Sequence, residues 1–222
     1  MRTISKDDYL QAAQIFDWAT REHYTVWFTG KTERHRRTEV MLPRLVKKGK
    51  LQAVKYGNRL VYCAQKYKRP DRKLPESIDH GLGVTEGLVR FWRTGVDGTI
   101  IPSRFFRGLG CVPEWGIQYD HSILLYEFST RDNFYQALQE KVRRYTEFME
   151  KIQERVGTRI LVLFNLAVPR GNVLRWVTRY HPEGPFMFTD DQTFRSIPIG
   201  EQMLAPIYFW GGDGQSYPLK TK

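Results

Sequence analysis

The residues best placed to do chemistry lie between Gly110 and Ser129, GCVPEWGIQYDHSILLYEFS. Two runs rich in aromatic and branched side chains, 112–119 and 122–129, flank Asp120-His121. That is the pattern of a β-hairpin with a two-residue loop. With such a loop Tyr119 pairs with Ser122, and counting outward sets Glu114 opposite Glu127 on one face. Directly opposed residues have Cβ atoms about 4.5–5.5 Å apart, and like charges there destabilise a sheet. Two facing carboxylates need relief from a bound divalent cation, from a nearby Lys or Arg, or from a raised pKa. The alternative is a register displaced by one residue, or a carboxylate at a frayed, solvated strand end.

The elements that would position this pair follow from periodicity. Residues 131–155 read as a long helix with Phe134, Leu138, Val142, Tyr145, Met149 and Ile152 as its apolar stripe; Lys141 lies near the stripe's edge. Gly157 ends it. The run 159–167 (RILVLFNLA) is apolar throughout, as expected of a strand covered on both faces. Strand, helix and strand make one crossover unit, right-handed if its strands are parallel, in an α/β domain with a mixed sheet. Upstream, Leu82, Val84 or Thr85, Leu88, Val89 and Trp92 suggest a helix despite three glycines. Residues 97–106 read as a strand pair or extended loop whose Pro102 suits a sheet edge. Downstream, 171–180 reads as a helix, and 186–189, 195–198 and 206–210 as short strands or loops. The tail from Gly211 is expected to be mobile.

The first third differs in charge. Of a formal net charge of +11, residues 1–72 contribute +10, with 17 Lys and Arg against 7 Asp and Glu. A basic lobe joined to a neutral one suggests a polyanion-binding module attached to something else. Helices are expected over 6–21, within 24–29, and over 33–48, where the internal Pro43 implies a kink or a later start. Strands at 51–55 and 59–64 flank Tyr56-Gly57-Asn58, a hairpin signal. Three helices and a basic hairpin are the plan of a winged helix-turn-helix. The start of its third helix enters the major groove, which nominates Arg34, Arg36, Arg37 and Thr38, with Lys31, Arg44 and Lys47 nearby. The wing offers Lys55, Asn58 and Arg59 to phosphate. A solvated basic helix is the plainer explanation, weakened by the coincidence of charge, helix order and wing. The expected division is 1–68 for this domain, a basic linker at 69–77, and 78–222 for the second.

The second domain resembles the PD-(D/E)xK nuclease core. Pro113-Glu114 stands at the PD position and Glu127 at the (D/E) position. The resemblance implies that Glu114 and Glu127, with Glu86 as a helical acid, hold Mg²⁺ or Mn²⁺. Glu127-Phe128-Ser129 puts Ser where the catalytic lysine belongs, and Lys141 from the following helix would supply the missing charge. With the winged helix, the chain resembles more narrowly the replication-relaxation proteins of plasmids and mobile elements. The matching pieces are LPRLVKKGKL, His80 opening a helix, Pro113-Glu114, Glu127-Phe128-Ser-Thr, and Lys141 with Tyr145 four residues on. The resemblance spans most of 5–165.

It implies a DNA-binding protein of a plasmid, phage or mobile element, acting in replication, relaxation or transfer, whose nuclease-like domain is degenerate and serves assembly. Two alternatives remain: a metal-dependent endonuclease or nickase aimed by the winged helix, and a transcriptional regulator or protein-interaction module. Double-stranded DNA is the expected partner, with a homodimer as a second. Other chemistry finds little support. The five histidines lack paired ligand spacing, and Cys63 and Cys111 read as ordinary thiols. GLGVTEG and WGGDG lack the P-loop pattern, so no nucleotide cofactor is expected. No segment approaches the roughly 20 apolar residues of a membrane helix. The N-terminus lacks the apolar run of a signal peptide, so a cytoplasmic location on DNA is expected.

Overall fold

Ser5 starts the first helix. Its hydroxyl accepts the Asp8 amide (3.2 Å), and the Asp8 carboxylate accepts the Ser5 amide (2.6 Å) in a reciprocal cap. In the computed structural model, which describes residues 4–64, 74–93, 98–119, 121–130, 134–156, 158–196, 207–211 and 216–219, α1 spans Lys6–Ile15. It stops well short of residue 21 because Phe16 turns extended and the chain enters β1 (Ala19–Thr20). Thr20 caps α2 (Arg21–Thr29), which ends at Gly30 with φ of 71°. Helix α3 (Arg36–Lys47) begins later than residue 33 and keeps Pro43 inside, so one main-chain donor is missing there. Strands β2 (Leu51–Tyr56) and β3 (Arg59–Ala64) turn about Gly57-Asn58, where Gly57 takes the positive φ such a tight turn requires. The antiparallel sheet has the order β1-β3-β2. Tyr9, Phe16, Tyr24, Leu42, Leu45 and Val61 fill the core.

The helix expected to open the second domain belongs to this first unit. Helix α4 spans Leu74–Arg93. Its Ile78 packs with Trp18, Val61 and Cys63, and Trp92 stacks on Trp27 with ring centroids 5.0 Å apart. Gly81 permits the approach, since a Cβ there would lie 2.6 Å from Trp18 Cδ1. The chain divides into a unit of Met1–Thr94 and one of Gly95–Pro198 that the C-terminal strands join. The boundary therefore falls after α4, not at 69–77. Residues 65–73, most of the expected linker, lie outside the described residues.

The second unit is a mixed sheet: β4 (Thr99–Pro102), β5 (Trp115–Tyr119), β6 (Ser122–Ser129), β7 (Arg159–Leu166) and β8 (Phe186–Asp190), in the order β8-β7-β6-β5-β4. Strands β6, β7 and β8 are parallel, and the rest pair antiparallel. Helix α5 (Phe134–Val156) makes the crossover from β6 to β7, and α6 (Arg170–Tyr180) that from β7 to β8. Leu138, Tyr145, Phe148, Val173 and Trp176 from these helices bury Leu125, Val162, Phe164 and Phe188 of the sheet. On the other face Tyr126 stacks on Trp115 at 4.4 Å and meets Phe194.

One tail reading is corrected. Asp190 accepts the Thr193 amide (2.8 Å) and starts a short helix, α7 (Asp191–Arg195), just before the strand or loop expected at 195–198, of which 197 and 198 lie outside the described residues. Beyond it β9 (Ile207–Gly211) pairs with β8, and β10 (Ser216–Leu219) with β9, so the tail from Gly211 includes a strand. The sheet then counts seven strands, with β10 and β4 at its edges and a proline, Pro218 or Pro102, in each. Among the described residues no helix is long and apolar enough to cross a membrane.

Candidate functional site

Two places gather chemistry, one in each unit. In the first, α3 turns Thr38, Leu42 and Leu45 inward and leaves Arg36, Arg37, Val40 and Arg44 exposed. With His35 and Met41 these four line an open depression. Arg36 and Arg37 sit at the helix start and have no carboxylate partner among the described residues. Lys31, Arg34 and Lys47 are exposed too, as are Lys55, Asn58 and Arg59 around the β2–β3 turn. Arg34 and Arg21 reach toward Glu39 at 4.0 and 3.3 Å, and Arg59 toward Glu22 at 3.9 Å. Thr38 leaves the proposed DNA face: it is fully buried, its hydroxyl 2.9 Å from the Tyr9 phenol and 3.0 Å from His35 Nδ1. Its place on the helix, four residues before Leu42, puts it on the core side.

In the second unit the hairpin has the register counted from its loop, with Tyr119 opposite Ser122 and Trp115 opposite Tyr126. At Glu114 the ladder changes. The Glu114 amide donates to the Tyr126 carbonyl (3.0 Å), so two residues of one arm share one partner, as in a β-bulge. Glu114 is half-buried, whereas Glu127 is only 3% exposed. Lys141 Nζ donates to Glu127 Oε2 at 2.5 Å, and the Tyr145 phenol donates to Oε1 at 2.6 Å. Burial is the largest influence on the Glu127 carboxyl and pushes it up. Lys141 opposes this, the negative charge of Glu114 reinforces it, and the balance lies above the ordinary range. Burial and the Glu127 charge also raise the Tyr145 phenol well above its usual value and push the Cys111 thiol up to about 12. The strands fix the acids and α5 fixes their donors: Lys141 and Tyr145, four apart, project from one helix face onto one carboxylate. Tyr145, read from sequence as an apolar residue and a motif piece, is a hydrogen-bond donor here. The four-residue spacing at the stripe's edge was the available signal.

Glu86 belongs to the first unit. Its Oε2 accepts from His23 Nε2 (2.7 Å) and its Oε1 from Arg90 Nε (2.5 Å). The His23 proton lies on Nε2, because Nδ1 accepts the Thr20 amide (3.1 Å). Burial works to raise the Glu86 carboxyl, but His23 and Arg90 outweigh it and hold it at about 2. For a divalent ion the donor set at Glu127 fits poorly. One oxygen carries an ammonium and the other a phenol, and no group of three His, Cys, Asp or Glu suited to a metal occurs among the described residues.

No family model matches the chain, and no curated protein does. Among solved structures it is similar to the small subunit, R.BspD6I2, of the heterodimeric restriction endonuclease R.BspD6I. The TM-score is 0.38 at 13% identity, over 53% of this chain and 66% of that one. Mixed α/β architecture in the second unit and a small antiparallel sheet with helices in the first are the description that the fold supports.

Proposed function

We propose that the chain is a DNA-binding protein that docks through α3. In this reading the first unit is a winged helix-turn-helix. Its order of α1, β1, α2, α3, β2 and β3, with a β1-β3-β2 sheet, supports that plan. The observation that carries the reading is Arg36-Arg37 at the exposed start of α3, beside Val40 and Arg44 and without a carboxylate partner among the described residues. Arginines there are placed to meet phosphate and base edges, as the recognition helix of this motif does. Duplex binding should fall steeply with salt, by about 0.9 in log K per log salt for each phosphate neutralised. A gel-shift titration of the whole chain and of Arg36→Gln/Arg37→Gln across ionic strength tests this. Salt-independent binding, or a double variant equal to wild type, would overturn it. In this reading the activity belongs to replication, relaxation or transfer of a plasmid, phage or mobile element, as the sequence resemblance to replication-relaxation proteins implies. The second unit then serves assembly, with Lys141 neutralising Glu127.

The second reading is a metal-dependent endonuclease using Glu114, Glu127 and Lys141. The negative charge of Glu114, which raises the Glu127 carboxyl, favours it. If it holds, Mg²⁺ or Mn²⁺ raises the melting temperature by mass action, and Glu127→Gln abolishes the response. If Lys141 neutralises the pair, divalent ions and EDTA leave the melting temperature unchanged.

A further inference from the structure

The loop from β4 to β5 carries a cluster that neither the α3 face nor the Glu127 site uses. Residues Ser103–Phe106 form one 3-10 turn that sends two consecutive phenylalanines opposite ways: Phe106 is 6% exposed and Phe105 63%. Phe106 is the anchor. It packs in the core that holds Cys111, Leu125 and Tyr145, and Gly116 makes room for it, since a Cβ there would lie 3.0 Å from Phe106 Cζ. Phe105 is thus held outward on a fixed stem. The Arg104 guanidinium lies 5.4 Å from its ring centroid, and Arg107 follows one residue after the anchor. Neither arginine has a carboxylate partner among the described residues, and residues 99–113 contain no Asp or Glu. Gly108 (φ 86°) and Gly110 (φ 93°) bend the return, where Leu109 and Val112 are also exposed.

Exposed apolar side chains gathered in one place mark an interaction surface. Here the surface is an exposed aromatic ring with one cation over it and a second exposed arginine two residues on, neither with a carboxylate partner among the described residues, which suits a flat base carried on a polyanionic chain. We propose that Phe105 is a stacking platform for an unpaired nucleobase, with Arg104 and Arg107 on the flanking phosphates, so that this loop holds single-stranded nucleic acid. Every base has a π-face, so such stacking tolerates any sequence, and the arginine over the ring adds a cation–π contribution. An anionic membrane would meet the same arginines. Arg104 over the ring, however, keeps a charge at the tip, where insertion needs an apolar one. The return of the loop leads through Pro113 into Glu114, so the platform stands at the entrance to β5. The proposal goes beyond the reading of α3 and does not depend on it.

The test uses the full chain, a labelled single-stranded oligothymidine and a matching duplex, read by fluorescence anisotropy. Phe105→Ala should weaken single-strand binding about tenfold, Phe105→Trp should restore it, and Phe105→Leu should not. Arg104→Gln/Arg107→Gln should lower the single-strand salt slope by about 0.7 per arginine. Duplex binding should be unchanged by Phe105→Ala. Wild-type melting of the Phe105 variants would show that folding is intact. The proposal is overturned if wild type does not bind the oligothymidine, if Phe105→Ala or Phe105→Leu binds it like wild type, or if Phe105→Ala instead reduces sedimentation with phosphatidylglycerol vesicles. Arg36→Gln/Arg37→Gln separates the two readings. Loss of duplex binding in that variant supports α3 docking, and its absence sinks that reading while the Phe105 comparison still stands.

Discussion

Arg36-Arg37 and Arg143-Arg144 are the same dipeptide on two helices, and the molecule surrounds them differently. On α5, Arg143 is bonded to Glu140 and Glu147, and Arg144 to Glu140. These contacts raise the Arg143 guanidinium and hold the Glu140 carboxyl at about 2. On α3 no carboxylate among the described residues answers Arg36 or Arg37. The charges of this stretch of α5 are matched within the second unit, down to Lys141 on Glu127, whereas the start of α3 keeps two cations in reserve. An unmatched cation adds little to stability and is free for a polyanion, while a matched one is already committed. Charge count alone therefore says less about binding than whether each charge has an internal partner.

The largest expected effect on this contrast is in DNA affinity. Arg36→Gln/Arg37→Gln should weaken duplex binding roughly 10–100-fold near physiological salt and reduce the salt slope by about 2. Next is Lys141→Met, which strands Glu127 beside Glu114. Breaking a buried pair costs about 3–5 kcal/mol, but the Lys141 side chain is 34% exposed, so about 1–3 kcal/mol is expected in chemical denaturation. An unchanged midpoint would mean that Glu127 is protonated in the folded state at neutral pH.

A smaller effect concerns pH. The folded-state pKa of Glu127 is raised, so its carboxyl favours folding fully below the ordinary Glu pKa of about 4.3, and that contribution is lost as pH rises through the raised value. Glu127→Gln should thus gain melting temperature relative to wild type as pH increases from about 4 toward neutrality. A constant difference across pH would refute the assigned shift. The smallest effect is expected of Arg143→Gln/Arg144→Gln, with duplex affinity equal to wild type. Equal losses in both arginine pairs would mean that DNA runs over both units and would end the comparison.

The hairpin register and α5 were legible because a two-residue loop and a repeating apolar stripe are local signals. The bulge at Glu114 was not, because it depends on how Pro113-Glu114 enters the sheet. Helix α4 was recognised as a helix but assigned to the wrong neighbour. The contact of Gly81 with Trp18 is tertiary, and glycine read along the chain registers only as a helix weakness. Thr38 lies at the start of the third helix, which nominates it for the DNA face, although its bonds to Tyr9 and His35 satisfy it inside. Glu86 is nominated by the nuclease resemblance alone, its partners His23 and Arg90 being invisible to spacing. The short helix after Asp190 and the strand at Ser216–Leu219 rest on a cap and on pairing with β9, neither of which the residues there announce by periodicity.

The prolines in the outermost strands bear on how copies of this protein can meet. An open sheet edge is a template on which another chain can add a strand, and native sheets blunt it with short strands and proline. Strands β4 and β10 are each four residues long, and Pro102 and Pro218 remove a main-chain donor from each. A second copy extending the sheet would find an interrupted row of donors at either end. Runaway strand-by-strand growth into fibrous aggregates is thereby disfavoured, even at the high local concentrations reached when many copies crowd along one polymer.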